Sequence, residues 1–478
     1  MDVERQAAIA LKWNAVAKLL SQTFSWAVTF IVLRLLTPED YGLMAIATVT
    51  ISIVAGMAEF GLGAALIQKQ TLHRQELSAV AGALGALNVF CGLVLFIAAP
   101  ALAEIFGDAR LAAIIRVASL QFVFTAIDVV PQSLIQREMN FRRNAGIELS
   151  AMVVASSTTL VLAWLDCGVW SLVVGNLAGC ATRTTLLVML GTIVSPSLRW
   201  QGIVKQLHFG GLVTLTRFIW QLTYQLDTLI AGRFLTREAV GFYSVSMHLA
   251  TLPMNKAMGI INQVAFPAVA RLQDELPRLR AHLLDALRLL AFVAVPVLWG
   301  LSAVAYEFVD VVLGDKWHTA VATLQLVGLV APARMFMAIL ATSVEAIGQA
   351  GIELRNTLIS ALILPTAFLI GVQWELIGLA TSWLIAMPLI LALNLRRTSR
   401  ALGLSLRSML NAVHAPLLAG VAMYATVAIV RLALDDFEEI IRLPVLIAAG
   451  ALAYLLAVRL IDWGIWTDTR RLLVALRN

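Results

Sequence analysis

Two cations stand in hydrophobic runs where lipid would tolerate them poorly. Lys18 follows Asn14 and precedes Gln22, Ser25 and Thr29; Arg217 precedes Gln221, Tyr224 and Thr228. Steps of three or four residues put each set on one face of a 3.6-residue helix. A cation at the bilayer centre costs about 2.5–3.5 kcal/mol on the insertion scale. Both stripes therefore predict a water-filled cavity or an anionic partner, and the chemistry they could supply is charge-assisted binding of an anion. Lys256 adds a third cation. It follows Pro253, where a kink could turn backbone groups toward a cavity. Glu59, Asp128, Asp227 and Arg334 are charges in or near apolar runs, which fits an ion pair or a gate; Arg183, Glu148 and Glu345 read as interfacial or structural.

The elements carrying these residues follow from composition. The chain has 478 residues, 60% hydrophobic and 13% charged, with mean hydropathy +0.86. Soluble domains carry about 25% charged residues. That excludes a cytosolic enzyme, a secreted domain and a disordered chain, and it predicts an all-α, polytopic membrane protein. A net charge of +6 and a pI near 9.5 reflect basic loops on one membrane face, not nucleic-acid binding. No basic cluster is interleaved with stacking aromatics.

Apolar runs predict about fourteen helices, near 10–36, 41–66, 78–100, 111–135, 146–165, 168–194, 207–232, 241–267, 283–306, 321–346, 354–372, 375–393, 412–431 and 440–461. Two pairs are tight, broken only at Asp166-Cys167-Gly168 and at Gln373-Trp374-Glu375. With this count, Lys and Arg favour one set of loops about threefold, including Arg142, Arg143, Arg278, Arg280, Arg396 and Arg397. The opposite loops carry Glu39, Asp40, Asp108, Asp310 and Asp435. Both termini are expected in the cytoplasm. The N-terminus lacks a cleavable signal pattern.

An internal repeat divides the chain. Arg34-Leu-Leu-Thr-Pro-Glu-Asp-Tyr-Gly42 resembles Arg233-Phe-Leu-Thr-Arg-Glu-Ala-Val-Gly241; residue 233 answers residue 34, an offset of 199. The same offset pairs Lys18 with Arg217 and Gln22 with Gln221. Transporters are often built from two such halves around a midplane site. The expected organisation is an N-terminal six-helix lobe over 1–206, a second over 207–400, and two further helices with a tail over 401–478.

Several chemistries have no footing. There is no G-x-x-x-x-G-K-[ST] loop, no H-E-x-x-H pattern and no readable catalytic setting. Cys91, Cys167 and Cys180 lack metal-ligand spacing. No cofactor, metal or enzymatic activity is expected.

Motifs spread along the chain carry a resemblance. Besides Arg34–Gly42, they are Glu59-Phe-Gly-Leu-Gly-Ala-Ala-Leu-Ile-Gln68, Pro131-Gln-Ser-Leu-Ile-Gln-Arg-Glu-Met-Asn-Phe-Arg142, Gly232-Arg-Phe-Leu-Thr-Arg-Glu-Ala-Val-Gly-Phe-Tyr243, Phe266-Pro-Ala-Val-Ala-Arg-Leu-Gln273 and Ala346-Ile-Gly-Gln349. In order and spacing the chain resembles the polysaccharide transport family of bacterial oligosaccharide flippases. That family lies within the superfamily of multidrug, oligosaccharidyl-lipid and polysaccharide exporters. The resemblance implies two six-helix bundles in a V with two extra helices. It implies transfer of undecaprenyl-pyrophosphate-linked repeat units across the bacterial inner membrane, for exopolysaccharide or lipopolysaccharide biosynthesis, by alternating access. It also implies a lipid-linked oligosaccharide as substrate, and a polymerase and export machinery as partners. Lys18 and Arg217 would then hold the pyrophosphate. Gln22, Gln221 and Tyr224, with Trp220 nearby, would offer hydrogen bonds and an aromatic surface to sugars, and Ser25 and Lys256 would line the same cavity.

Three other readings compete. A cation-coupled multidrug antiporter of the same architecture would need acidic cavity stripes, and these are basic. A membrane polymerase or ligase would need a large extramembrane loop. A docking scaffold would rest on the basic tail from Asp468.

Overall fold

A computed structural model describes residues 24–58, 74–137, 141–189, 195–197, 204–271 and 276–462. Among them it contains fourteen long helical stretches and no strand. The first two are α1 (Phe24–Leu35) and α2 (Pro38–Ala58). Next come α3 (Arg74–Phe106) and α4, which is broken at Ser119-Leu120 into Arg110–Ala118 and Gln121–Arg137. They are followed by α5 (Phe141–Trp164), α6 (Val169–Met189), α7 (Val204–Phe234), α8 (Arg237–Arg271) and α9 (Leu276–Ala303). After a short helix Ala305–Phe308, a π-helical turn and a 3-10 turn come α10 (Ala320–Ala346), α11 (Ala350–Gly371) and α12 (Glu375–Leu402). The series closes with α13 (Leu406–Ala433) and α14 (Glu439–Ile461). Ten stretches among the described residues are long and apolar enough to cross a membrane, one of them a two-helix hairpin. The polytopic all-α expectation holds.

Local chemistry sets the helix ends. Thr37 caps α2: its hydroxyl accepts from the Asp40 amide at 3.3 Å, and Asp40 Oδ2 accepts from the Thr37 amide at 3.0 Å. This is a capping box with proline at the first helical position. The repeat's second copy does the same more simply, Thr236 Oγ1 accepting from the Ala239 amide at 3.2 Å before α8. The Thr-x-Glu signature shared by the two copies is thus a helix start with an acid in the first turn. Both predicted tight breaks are hairpin turns. Asp166 (φ 55°), Gly168 (φ 55°) and Glu375 (φ 56°) take positive φ there, and Asp166 and Glu375 are the only non-glycine residues to do so among the described residues.

The chain forms two compact units, Met1–Gly241 and Phe242–Asn478. The first holds α1 to α7 and the first turn of α8. Within it α5 and α6 form a close hairpin, because Gly175 and Gly179 leave room for Thr159 and Ala155. Gly92 of α3 likewise admits Phe122 of α4. Such small residues let helices approach where lipid supplies no hydrophobic drive for association. α7, expected to open the second lobe, packs on α2 in this unit.

One approach in the first unit is closer still. A Cβ built on Gly42 would lie 1.8 Å from the carbonyl oxygen of Arg237, and one built on Gly241 would lie 1.8 Å from the carbonyl oxygen of Pro38. The offset of 199 relates Gly42 to Gly241 and Pro38 to Arg237, so the crossing is reciprocal. Each glycine turns a Cα hydrogen toward the other helix's carbonyl, a contact type worth about 0.5–1 kcal/mol.

In the second unit α9, α10 and α12 share a core of Leu287, Leu290, Leu298, Met335, Ile339 and Leu402. α11 and α12 form a hairpin. α13 and α14 pack on each other and on α9 through Val295, Ala419, Met423 and Tyr454. The Tyr454 hydroxyl donates to the Phe292 carbonyl at 3.0 Å. Outward-facing Leu362, Leu432 and Leu460 are exposed, as lipid-facing side chains must be.

Candidate functional site

Lys18, Gln22 and Glu59 lie outside the described residues, as do the side chains of Arg217, Trp220 and Lys256; the backbones of these last three are in α7 and α8. What is described of the expected site begins at Ser25, whose carbonyl accepts the Thr29 hydroxyl at 2.8 Å.

The α7 stripe meets α2 in a polar seam. Gln221 Nε2 donates to the Ser52 carbonyl at 2.6 Å, and Ser52 Oγ donates to Gln225 Oε1 at 2.7 Å. Gly56, one turn beyond Ser52, makes room for the Gln221 amide: a Cβ there would lie 2.6 Å from Oε1. Ser52 and Gln225 were not singled out from sequence. A serine and a second glutamine four residues after Gln221 carry the right spacing, but spacing does not say which helix they meet. Tyr224 is half-buried on the same helix.

Asp227 is buried farther along α7. Its Oδ1 accepts the Thr228 amide at 2.6 Å and the Thr228 hydroxyl at 3.2 Å. Asp128 of α4 is buried and takes Nε of Arg183, from α6, at 2.9 Å. Its second oxygen, Oδ1, has no hydrogen-bond partner among the described residues. Of the expected charges, Asp128 therefore sits in an ion pair, and its partner Arg183 is the residue read from sequence as structural.

Arg334 lies midway along α10 with its guanidinium 4.5 Å from the ring centroid of Trp383. Trp383 is fully buried on α12, stacks at a tilt on Phe368 and donates Nε1–H to the Tyr243 hydroxyl at 2.8 Å. The cation thus rests on an indole whose orientation is fixed from behind. Sequence gave no sign of this, because Arg334, Trp383 and Tyr243 come from three distant helices.

A charged cluster joins the starts of α2, α4 and α8. Arg110 pairs with Glu39 and, at 2.8 Å, with Asp108. Arg237 Nη1 donates to the Gly232 carbonyl at 2.6 Å and Nη2 to the Phe106 carbonyl, while Nε lies 3.6 Å from Asp108. The Arg110 hydrogen bond holds the Asp108 carboxyl below its ordinary range against a smaller opposing effect of burial. In the second unit, Glu307 is fully buried between two arginines. Arg431 grips both its oxygens at 2.7 and 2.9 Å, and Arg442 Nε lies 3.5 Å away. Near it Asp310, Asp315 and His318 bring carboxylate and imidazole atoms within 4.8 Å of one another; Asp310 and His318 clasp at 2.7 Å and the imidazole stacks on Tyr306.

The family described as "Polysaccharide biosynthesis protein" matches residues 31–322. The lipopolysaccharide biosynthesis protein WzxC of Escherichia coli (strain K12) is 28% identical over 69% of this chain and 68% of its own length. The teichuronic acid biosynthesis protein TuaB of Bacillus subtilis (strain 168) is 24% identical over 95% of each. Among solved structures, the lipid II flippase MurJ in an inward closed conformation matches with TM-score 0.73 at 14% identity, covering 93% of this chain and 98% of that one. An inward-facing multidrug resistance MATE transporter matches with TM-score 0.64 at 16% identity, over 80% and 95%. These two likenesses show the fold.

Proposed function

Because the chain belongs to the polysaccharide biosynthesis protein family, we propose that it flips an undecaprenyl-pyrophosphate-linked oligosaccharide repeat unit across the bacterial inner membrane, for exopolysaccharide or lipopolysaccharide biosynthesis. The observation that carries this reading is the joining of two facts: membership of a glycan-biosynthesis family, and a fold shared with a lipid flippase. The relatives' names, for lipopolysaccharide and teichuronic acid, support a glycan cargo.

The mechanism is alternating access. The lipid tail stays in the bilayer while the head crosses a cationic cavity. Lys18, Arg217 and Lys256 attract the pyrophosphate, and poor hydration strengthens the attraction. Gln22, Ser25, Gln221 and Tyr224 serve sugar hydroxyls. Asp128, Asp227, Arg334 and Glu59 serve the path as gating residues or members of ion pairs. A potential negative inside favours outward movement of an anion by about 2.3 kcal/mol per charge per 100 mV. Both termini lie in the cytoplasm, and the product passes to a polymerase and export machinery.

The test is reconstitution with a defined lipid-linked glycan, scoring transfer between leaflets. Transfer above that of protein-free vesicles, lost at least about tenfold in Lys18→Glu/Arg217→Glu, is expected from an electrostatic contact to a charged ligand. Transfer equal to protein-free vesicles overturns the flippase reading. Unchanged transfer in the double variant overturns the cavity assignment. Export of cationic drugs without glycan transfer would replace both with the multidrug reading.

A further inference from the structure

Asp310, Asp315 and His318 converge on the link between α9 and α10, and the flippase reading gives them no task. The link spans 304–319, between the apolar stretches Pro277–Ala303 and Ala320–Val344, so it lies at a membrane face where aqueous ions reach it. Val309, Leu313 and Trp317, each four residues apart, are buried, and Trp317 meets Phe242 edge to face. That row anchors the link from beneath. The π-helical turn Val309–Leu313 and Gly314, at φ 91°, then carry Asp310 and Asp315 to its accessible side. His318 Nε2 donates to Asp310 Oδ1 at 2.7 Å, since an ionised carboxylate only accepts. The imidazole lies nearly parallel to the Tyr306 ring, 5.5 Å between centroids, which fixes its plane. Glu307 is held by Arg431 and Arg442 and takes no part.

We propose that Asp310, Asp315 and His318 form a site for a first-row divalent metal ion of the zinc class, which staples the α9–α10 link. This goes beyond the flippase reading and does not rest on it. One imidazole and two carboxylates are a mixed nitrogen and oxygen donor set: the imidazole favours zinc over magnesium or calcium. Three protein ligands leave the remaining coordination to water. Ligand atoms about 2.1 Å from one ion stand no more than about 4.2 Å apart, and these three atoms already lie within 4.8 Å of one another. Asp310 and His318 are the close pair, so the remaining closure falls on Asp315, the exposed member, whose side chain is free to rotate. A dication would also relieve the repulsion between the two carboxylates, which a neutral imidazole cannot do. An imidazole and a carboxylate that share a hydrogen can hold a metal between them instead, once the ring nitrogen is bare. The expectation of no metal rests on sequence spacing, which does not show that a π-helical turn brings these three side chains together.

The test is calorimetric titration of the untagged, chelator-stripped full chain in detergent with Zn²⁺. One equivalent is expected to bind, and affinity should fall at least about tenfold in Asp315→Asn and in His318→Gln. Zn²⁺ should raise the unfolding midpoint of the unaltered protein and slow hydrogen exchange across 304–319, with both effects lost in the variants. Asp315→Asn changes an exposed side chain, so it keeps the test decisive if His318→Gln, which also loses the Tyr306 stack, does not fold. No binding up to about 1 mM overturns the site. Equal affinity in the unaltered protein and both variants puts the metal elsewhere and overturns it too. Ca²⁺ binding as tightly as Zn²⁺ would overturn the role given to the imidazole. None of these readouts needs a glycan, so failure here leaves the flippase reading standing, and failure of glycan transfer leaves the metal site standing.

Discussion

Arg183 donates to Asp128 from 55 residues away, and the pair joins α6 to α4 inside the first unit. Asp128 is the buried member, with one oxygen unpartnered among the described residues. Removing one partner of a buried pair leaves an uncompensated charge, which costs about 3–5 kcal/mol. Arg183→Met is therefore expected to lower thermal stability in detergent more than Asp128→Asn does. The double variant should recover part of the loss. Equal, additive losses would show that the two residues are not coupled.

Trp383 is held by its own donor. In Trp383→Phe the Tyr243 hydroxyl loses its indole partner at a fully buried site, a loss of about 1–3 kcal/mol. Tyr243→Phe removes the other half of the same hydrogen bond, so the double variant should lose less than the two single losses added together. The readout is the unfolding midpoint of the four proteins in one cycle; strictly additive losses would show that the two side chains are not coupled.

Glu307→Ala leaves Arg431 and Arg442 facing each other without the carboxylate between them. A destabilisation of at least about 3 kcal/mol is expected. It should be local, with faster hydrogen exchange in α13 and α14 than in α10 to α12, since both arginines belong to the former pair. Uniformly faster exchange would contradict this.

Acid should leave the charged cluster at the start of α8 alone over the physiological range. Asp108 is held below its ordinary pKa by Arg110, so its stabilising charge is present above the unfolded value and lost only as pH falls through the lowered one. Glu39, Arg110 and Arg237 are the charged groups around it. The stability lost in Asp108→Asn, measured by unfolding midpoint in detergent, should be the same from about pH 8 to about pH 5. A decline within that window would assign the contribution to another titrating group.

The sequence made the helices legible because lipid imposes a simple rule of long apolar stretches. It also exposed the hairpin breaks at Asp166 and Glu375, where polar residues interrupt two such stretches. Ends were less legible. α3 reads as 78–100 but runs Arg74–Phe106, since Pro100 bends rather than ends it. The break at Ser119-Leu120 leaves no trace in hydropathy. Among the candidate site residues, helical spacing foretold that Gln221 and Tyr224 share a face. It could not foretell that Gln221 would reach Ser52, that Asp128 would hold Arg183, or that Arg334 would lie on Trp383. Each of these depends on which helices become neighbours, and one sequence does not encode that locally. The repeat revealed Gly42 and Gly241 as equivalents, while their contact needed coordinates.

The carboxylate of Glu307 also constrains the order of synthesis. It is made with the segment after α9, but its two guanidinium partners are translated more than a hundred residues later. Until α13 and α14 leave the ribosome and dock, the nascent chain carries this acid without either of the guanidinium groups that hold it in the finished fold.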